Sequence, residues 1–430
     1  MVEFAFDPDR TVLGTVFTSA GEGEFALSDT DRARHMLVIG KTGQGKSTLL
    51  RNVAVQDIHT GRGVGIIDPH GDLSRELLDD IPSFRARDLV WIDLNDEERV
   101  VTFNLLENVP RERIAATASN IVAAFRAVWA DSWGPRMERI LYAAIAALTE
   151  APNTSLLGLP RLLTDDDYRA HVLTDVTDPI VHGFFANEYA VWDEDYRTVA
   201  IDPVLNKVEQ LLSSPAVRAM LGSTKSSIDF GDIMDGRKVL IANLAKGALG
   251  EGHAHLLGAM LVSGFYHAAM ARGGNTGTRV PFSLIVDEWQ NFASDSFAHI
   301  LSEARKMKLS LVLANQFMAQ ASERLRAAVL GNVATIVAFQ LSADDADTIA
   351  AEIGLKRGDM LTQLSVGEVW AKHATYGGPY YPRLIAPIVT NAKGCEAALK
   401  QNRLRNTFPR SRVEEKIARF FASAARGRAR

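Results

Sequence analysis

Cysteine is almost absent: Cys395 is the single one in 430 residues. An intrachain disulfide and any cysteine-rich metal centre are thereby excluded, and a reducing, cytoplasmic setting is expected, with any membrane association supplied by a partner. Long apolar runs are also missing. The opening MVEFAFDPDR carries acids early and does not resemble a secretory signal. The most apolar stretch, His255 to Ala271, contains Ser263, His267 and two glycines, so it is short for a bilayer span and predicts a buried helix. No second histidine lies at metal-ligand spacing from His70, and no Ser-His-Asp or Cys-His arrangement follows from spacing. Net positive charge is lacking too. The formal charge of −5 argues against a uniformly basic nucleic-acid binder.

What is present is ordinary globular material. Apolar residues at 47% and charged residues at 23% match soluble domains, and the length allows two or three of them. Charge is unevenly spread: from Gln401 to Arg430 nine basic residues face only Glu414 and Glu415, a local +7 against −12 on the remainder. This end is open to two readings, a surface for phosphates or an acidic partner, or a solvated tail.

The richest segment is Gly40-Lys41-Thr42-Gly43-Gln44-Gly45-Lys46-Ser47, followed by Thr48. It is a complete G-x-x-x-x-G-K-S phosphate loop. Its glycines let backbone N–H groups close around a triphosphate, Lys46 brings positive charge to the terminal phosphates, and the Ser47 hydroxyl can ligate Mg²⁺. The flanks agree, since Met36 to Ile39 reads as a buried strand and Ser47 to Asp57 as a helix. ATP or GTP would then place its phosphates at a helix N-terminus.

Strand-like runs recur at Gly63–Asp68, Leu89–Asp93, Lys238–Asn243, Phe282–Asp287, Leu309–Ala314 and Val333–Phe339, each an apolar run rather than an alternating one. Helix-like segments at Ala254–Met270 and Ser296–Lys306 lie between the later ones, and one at Ser342–Glu352 follows the last. This alternation predicts an α/β fold with a mainly parallel sheet covered on both faces. From Arg111 to about Gly222 the period changes to helical, with Pro152, Pro160, Pro179 and Pro203 expected at helix boundaries. The expected organisation is a short leading segment (1–30), a first part of the core (31–105), an all-helical insertion (106–225), a second part of the core (226–390) and a basic C-terminal helix or tail (391–430).

An apolar run ending in Asp287-Glu288 suits the carboxylate that holds Mg²⁺ and the base that activates water. Asp287 is assigned the first role and Glu288 the second. The next run ends in Asn315-Gln316, and Gln316 beside the Asp287 strand can sense the γ-phosphate or the lytic water. Arg305 lies in the charged stretch Glu303 to Lys308, which reads either as a solvated helix face or as an arginine that reaches a nucleotide on a neighbouring subunit. The turn Asp68-Pro69-His70-Gly71-Asp72 is expected to expose two carboxylates around a histidine at a sheet edge where ligands bind.

The order GKTGQGKST, IIDPHGDL, helical insertion, FSLIVDEWQN, SEARKMKLSLVLANQ and LGNVATIVAFQLSADDA resembles the HerA/FtsK superfamily of ring-forming DNA-pumping ATPases. It is most similar there to cytosolic relatives of the TraG and TraD coupling proteins of conjugation and type IV secretion. The similarity spans about Asp31 to Pro387. It implies a RecA-like P-loop NTPase core interrupted by an all-helical domain, a homo-hexamer with DNA in its channel held without sequence specificity, and ATP with Mg²⁺ as cofactors. Arg305 matches the family's arginine finger and Gln316 its sensor glutamine. Gln340 stands where relatives often carry arginine, which removes a cationic contact. Coupling proteins usually add an N-terminal transmembrane pair and HerA a β-barrel. About thirty residues precede the core here, so membrane docking or nuclease action is expected from a partner chain. Two other readings share the nucleotide residues: a secretion or assembly ATPase acting on protein, and a non-hydrolytic nucleotide-dependent scaffold.

Overall fold

The computed structural model describes residues 4–19, 21–245, 250–274, 279–292 and 297–427. The chain divides into two compact units, one of Met1–Trp91, Phe230–Ala245 and Phe265–Asn402, the other of Ile92–Asp229, Lys246–Gly264 and Arg403–Arg430. In chain order the strands are β1 (Arg10–Thr18), β2 (Gly21–Ser28), β3 (Met36–Ile39), β4 (Gly63–Asp68), β5 (Leu89–Asp93), β6 (Arg99–Val100) and β7 (Val239–Asn243). They continue as β8 (Phe282–Val286), β9 (Leu309–Asn315), β10 (Thr335–Ala338), β11 (Trp370–His373), β12 (Gly377–Tyr380), β13 (Arg383–Leu384) and β14 (Phe408–Pro409).

The first unit is built on a nine-stranded sheet ordered β12-β11-β10-β3-β9-β8-β4-β7-β5. From β10 to β7 every neighbouring pair is parallel, while β10 with β11 and β11 with β12 run antiparallel. Each of β3, β4, β7, β8, β9 and β10 is buried along its whole length, which is why these strands are continuous apolar runs without polar alternation. Helix Lys46–His59 buries Leu49, Leu50, Val53, Ala54 and Ile58.

Strands β1 and β2, set apart above as part of a leading segment, pair antiparallel, and β1 also pairs with β13 in a three-stranded sheet. Helix Lys46–His59 holds it. Gln56 donates Nε2 to the Val12 carbonyl at 2.9 Å and accepts the Val12 N–H at 2.8 Å, so a side-chain amide continues the sheet's hydrogen bonding. Below it Arg32 forms a buried bidentate pair with Asp57 and donates to Thr11 Oγ1 at 2.9 Å. At the other end of the unit, Asn402 caps edge strand β5 by exchanging two hydrogen bonds with the Trp91 backbone, at 3.0 and 3.1 Å.

The second unit is helical between 111 and 222, with Ile114–Val128, Pro135–Glu150 and Glu194–Ser213 as its long elements. Pro203 does not mark a boundary. It lies inside Glu194–Ser213, where the burial of Ile201, Val204, Val208 and Leu211 offsets a lost hydrogen bond that costs roughly 3 kcal/mol. Pro160 likewise sits within Gly158–Thr164, close enough to its start that the missing N–H costs little. The basic end is docked in this unit as far as its side chains are described: β14 pairs with β6, and helix Arg410–Gly427 buries Val413 and Ile417. Helix Glu251–Ala271 is long and apolar enough to cross a bilayer, yet 67% of its apolar window is buried in the protein.

Candidate nucleotide-binding site

Strand β3 ends at Ile39 and the chain turns through Gly40 to Gly45 into helix Lys46–His59. Gly43 and Gly45 have φ of +77° and +110°, a region that L side chains rarely adopt. Gly40 is required for a different reason, because a Cβ there would lie 2.5 Å from Phe339 Cβ. The loop is pinned on both sides. Gly40 N–H donates to the Asn315 carbonyl at 3.3 Å and Lys41 N–H to the Gln340 carbonyl at 2.9 Å. Gly45 caps the helix without a side-chain hydrogen bond, so the helix's first N–H groups face the loop's interior with no competing acceptor from the cap.

Lys46 is buried, and its ammonium donates to the Gly40 carbonyl at 2.5 Å and the Lys41 carbonyl at 3.0 Å. Burial pushes its pKa down, against the pull of Glu288 and Asp287. Ser47 is exposed on the helix's first turn, with Thr48 half-buried beside it. The Gln44 carbonyl accepts the Gly367 N–H at 3.1 Å.

Strand order decides what faces this loop. Because β9 lies between β3 and β8, its end delivers Gln316 between the loop and Asp287-Glu288. Gln316 Oε1 accepts from Thr42 Oγ1 at 2.7 Å, and its Nε2 donates to Glu288 Oε1 at 2.8 Å. Asp287 is tied to the next strand, its N–H donating to the Ile67 carbonyl at 3.1 Å. Burial first, then the nearby Glu288 and Asp68 carboxylates, push the Asp287 pKa up to about 7. Glu288 itself sits in the left-handed region at φ 47°, ψ 49°, and is buried. Lys46, Gln316, Asp287 and Glu288 thus meet at the C-terminal edge of the sheet.

Arg305 is not among them. It stands exposed in the turn Ala304–Met307 before β9, at the opposite sheet edge, and forms no ion pair with a described residue. The seven residues of β9 separate the two edges by about 20 Å.

The turn after β4 corrects an expectation. Asp68 is buried, not exposed, because its two carboxylate oxygens accept the His70 N–H at 2.9 Å and the Ser74 N–H at 2.8 Å. Only His70 and Asp72 face solvent. Two further side chains escaped the sequence reading. Gln290 Nε2 donates to Glu288 Oε2 at 2.7 Å and to Gln320 Oε1 at 2.8 Å. Glutamines two and thirty-two residues beyond Glu288 carry no spacing signal; only the fold brings Gln290 to the carboxylate and Gln320 to Gln290.

A glycine loop between a central parallel strand and a helix, faced by an acidic strand end two strands away, defines the RecA-like P-loop fold. The helicase HerA central-domain family matches residues 27–248, and the TraM recognition site of TraD and TraG matches residues 281–368. The first match covers 222 of the 430 residues, and the chain belongs to the HerA central-domain family. Among solved structures it is similar to the bacterial conjugative coupling protein TrwBdeltaN70 in its unbound form, with a TM-score of 0.63 and 17% identity over 88% of this chain and 89% of that one. The plasmid coupling protein TrwB in complex with ADP and Mg²⁺ superposes with a TM-score of 0.61 and 17% identity over 91% and 99%. VirB4 of Thermoanaerobacter pseudethanolicus gives 0.60 and 15% over 88% and 97%. No curated protein matches the sequence.

Proposed function

We propose that this chain hydrolyses ATP in a ring of identical subunits and uses the cycle to move DNA. The convergence of Lys46, Gln316, Asp287 and Glu288 on one sheet edge, with Arg305 on the other, carries the reading. It describes half a site at each edge. A neighbouring copy that brings its Arg305 to this loop completes the set, and repetition of that contact closes a ring, a hexamer in the superfamily the chain resembles.

In this reading the loop residues Gly40 to Thr48 bind the phosphates, with Lys46 on the terminal ones. Glu288 takes the proton of the attacking water, Gln316 registers the γ-phosphate, and the neighbour's Arg305 offsets charge in the transition state. Mg²⁺ fits the residues present: Asp287 is crowded by two carboxylates with only Lys46 in balance, which a divalent cation held by Asp287 and Ser47 would relieve. When bound, the ion neutralises phosphate charge. TrwB, similar in fold, is described in complex with ADP and Mg²⁺ and with non-hydrolysable ATP and GTP analogues, which supports a nucleotide here. DNA would be held through its phosphates without base readout, and a membrane-embedded or nuclease partner would come from another chain.

ATPase activity with and without single- and double-stranded DNA, beside sizing in ATP, tests this. DNA should stimulate turnover, with an effect that falls steeply as salt rises, and ATP should favour an oligomer. Turnover indifferent to DNA would sink the motor reading in favour of a protein substrate. Glu288→Gln should bind ATP without turnover. Equal turnover in both proteins would refute the base assignment.

A further inference from the structure

The two amides on Glu288 are not equivalent. Gln316 holds Oε1 but also accepts from Thr42, an exposed residue of the phosphate loop, so a ligand that engages either side chain competes for that bond. Gln290 holds Oε2 and, among the described residues, makes no hydrogen bond to the loop. Its other bond runs to Gln320, in the turn Met318–Gln320 that follows β9. That turn is itself anchored, since buried Asp345 accepts the Met318 N–H at 2.9 Å. The Glu288 backbone, in the left-handed region, fixes where the side chain leaves the strand end. One carboxylate oxygen therefore has a partner tied to the scaffold, and the other has a partner tied to the ligand loop.

We propose that Gln290 is a positioning residue that anchors Glu288 through Oε2, leaving Oε1 as the oxygen that accepts the proton once Gln316 turns to the nucleotide. This rests on the reading of Glu288 as the base. As the water oxygen bonds to the γ-phosphorus and the bond from that phosphorus to the bridging oxygen breaks, the water's proton passes to Oε1. The carboxylic acid so formed later returns it to solvent. A carboxylate held at one oxygen cannot swing away when its second partner leaves, and proton transfer depends on that alignment. A charge-assisted amide hydrogen bond is strong enough to hold it.

Gln290→Met keeps the length of the side chain and removes the donor. Its expected signature is a fall in kcat of about tenfold with ATP affinity unchanged, and no further loss when it is added to Glu288→Gln. Gln320→Met, which leaves the bond to Glu288 in place, should lose about threefold or less. If Glu288→Gln keeps turnover, the underlying base reading fails. If Glu288→Gln is inactive while Gln290→Met turns over at the wild-type rate or faster, only the anchoring role is overturned. ATP binding by each variant reports that the site is folded. Should Gln290→Met not bind, wild-type kcat in a shorter Gln290→Asn variant, whose amide cannot span the gap, overturns the proposal equally.

Discussion

Gln316 donates to Glu288 Oε1 at 2.8 Å while its carbonyl oxygen accepts the Thr42 hydroxyl, so one amide joins the phosphate loop to the carboxylate two strands away. Gln316→Leu keeps the bulk and breaks both bonds. ATP affinity should change less than threefold, while kcat falls by about 10- to 100-fold, as loss of an aligned polar group in a closed site does. Equilibrium binding of a fluorescent ATP analogue beside steady-state turnover separates the two, and an equal loss in both would dismiss the sensing role.

Arg305 and Lys46 stand at opposite sheet edges of the same chain, so mixing subunits should restore what each variant lacks. Arg305→Ala retains Glu288, and Glu288→Gln retains Arg305. Each alone should be inactive. Their mixture should recover turnover, because an interface with an intact base and a neighbour's intact arginine can form. No recovery under conditions where the subunits exchange would place Arg305 outside the reaction.

Asp287 is raised to about 7 by burial and by Glu288 and Asp68. Its ordinary value is 3.8, so the folded state keeps a proton that the unfolded chain gives up above that pH. The stability contribution is complete below about pH 4 and lost as pH rises through about 7. Asp287→Asn, without nucleotide, should be more stable than wild type at pH 8 by about 2 kcal/mol and no different at pH 4, read by urea unfolding. Added Mg²⁺ with ATP should stabilise wild type more than the variant.

His35 is buried before β3, with Nε2 at 3.0 Å from the Leu301 carbonyl and Nδ1 accepting the Leu311 N–H at 3.0 Å. Burial, reinforced by the Arg305 charge, pushes its pKa from 6.5 down to about 4. The unfolded ring takes up a proton below 6.5 and the folded one only near 4. Stability from this group is therefore present above 6.5 and lost as pH falls toward 4. His35→Asn retains an acceptor and tolerates the residue's φ of 61°, and it should cost about 1–2 kcal/mol at pH 7 while flattening the acid limb of the unfolding curve between 6.5 and 4.

Much of the core could be read from local pattern. Strands such as β3, β4, β8 and β9 are mostly apolar, without alternation, because both their faces are covered, and that requirement is written into each run. The β1–β2 pair was not legible. Its first strand mixes threonine and glycine with apolar residues, its second is exposed over half its length, and what seats it is the side chain of Gln56, 44 residues from Val12. The turn after β4 differs from its sequence expectation for a similar reason: an aspartate that looks solvent-facing accepts the backbone N–H groups of His70 in the turn and Ser74 in the helix after it.

For this protein, sequence alone determined the elements whose chemistry is local: the glycine loop, the acidic strand end and the covered strands. Backbone conformation and burial at those places depend on neighbouring residue types, so they leave a pattern along the chain. Tertiary structure decided which strand lies between which. That order puts the end of β9 between the loop and the end of β8, so Gln316 reaches both Thr42 and Glu288, and it sets Asp68 near Asp287. Hydrogen bonds between side chains distant in the chain depend on this packing, and no spacing rule along the sequence encodes it.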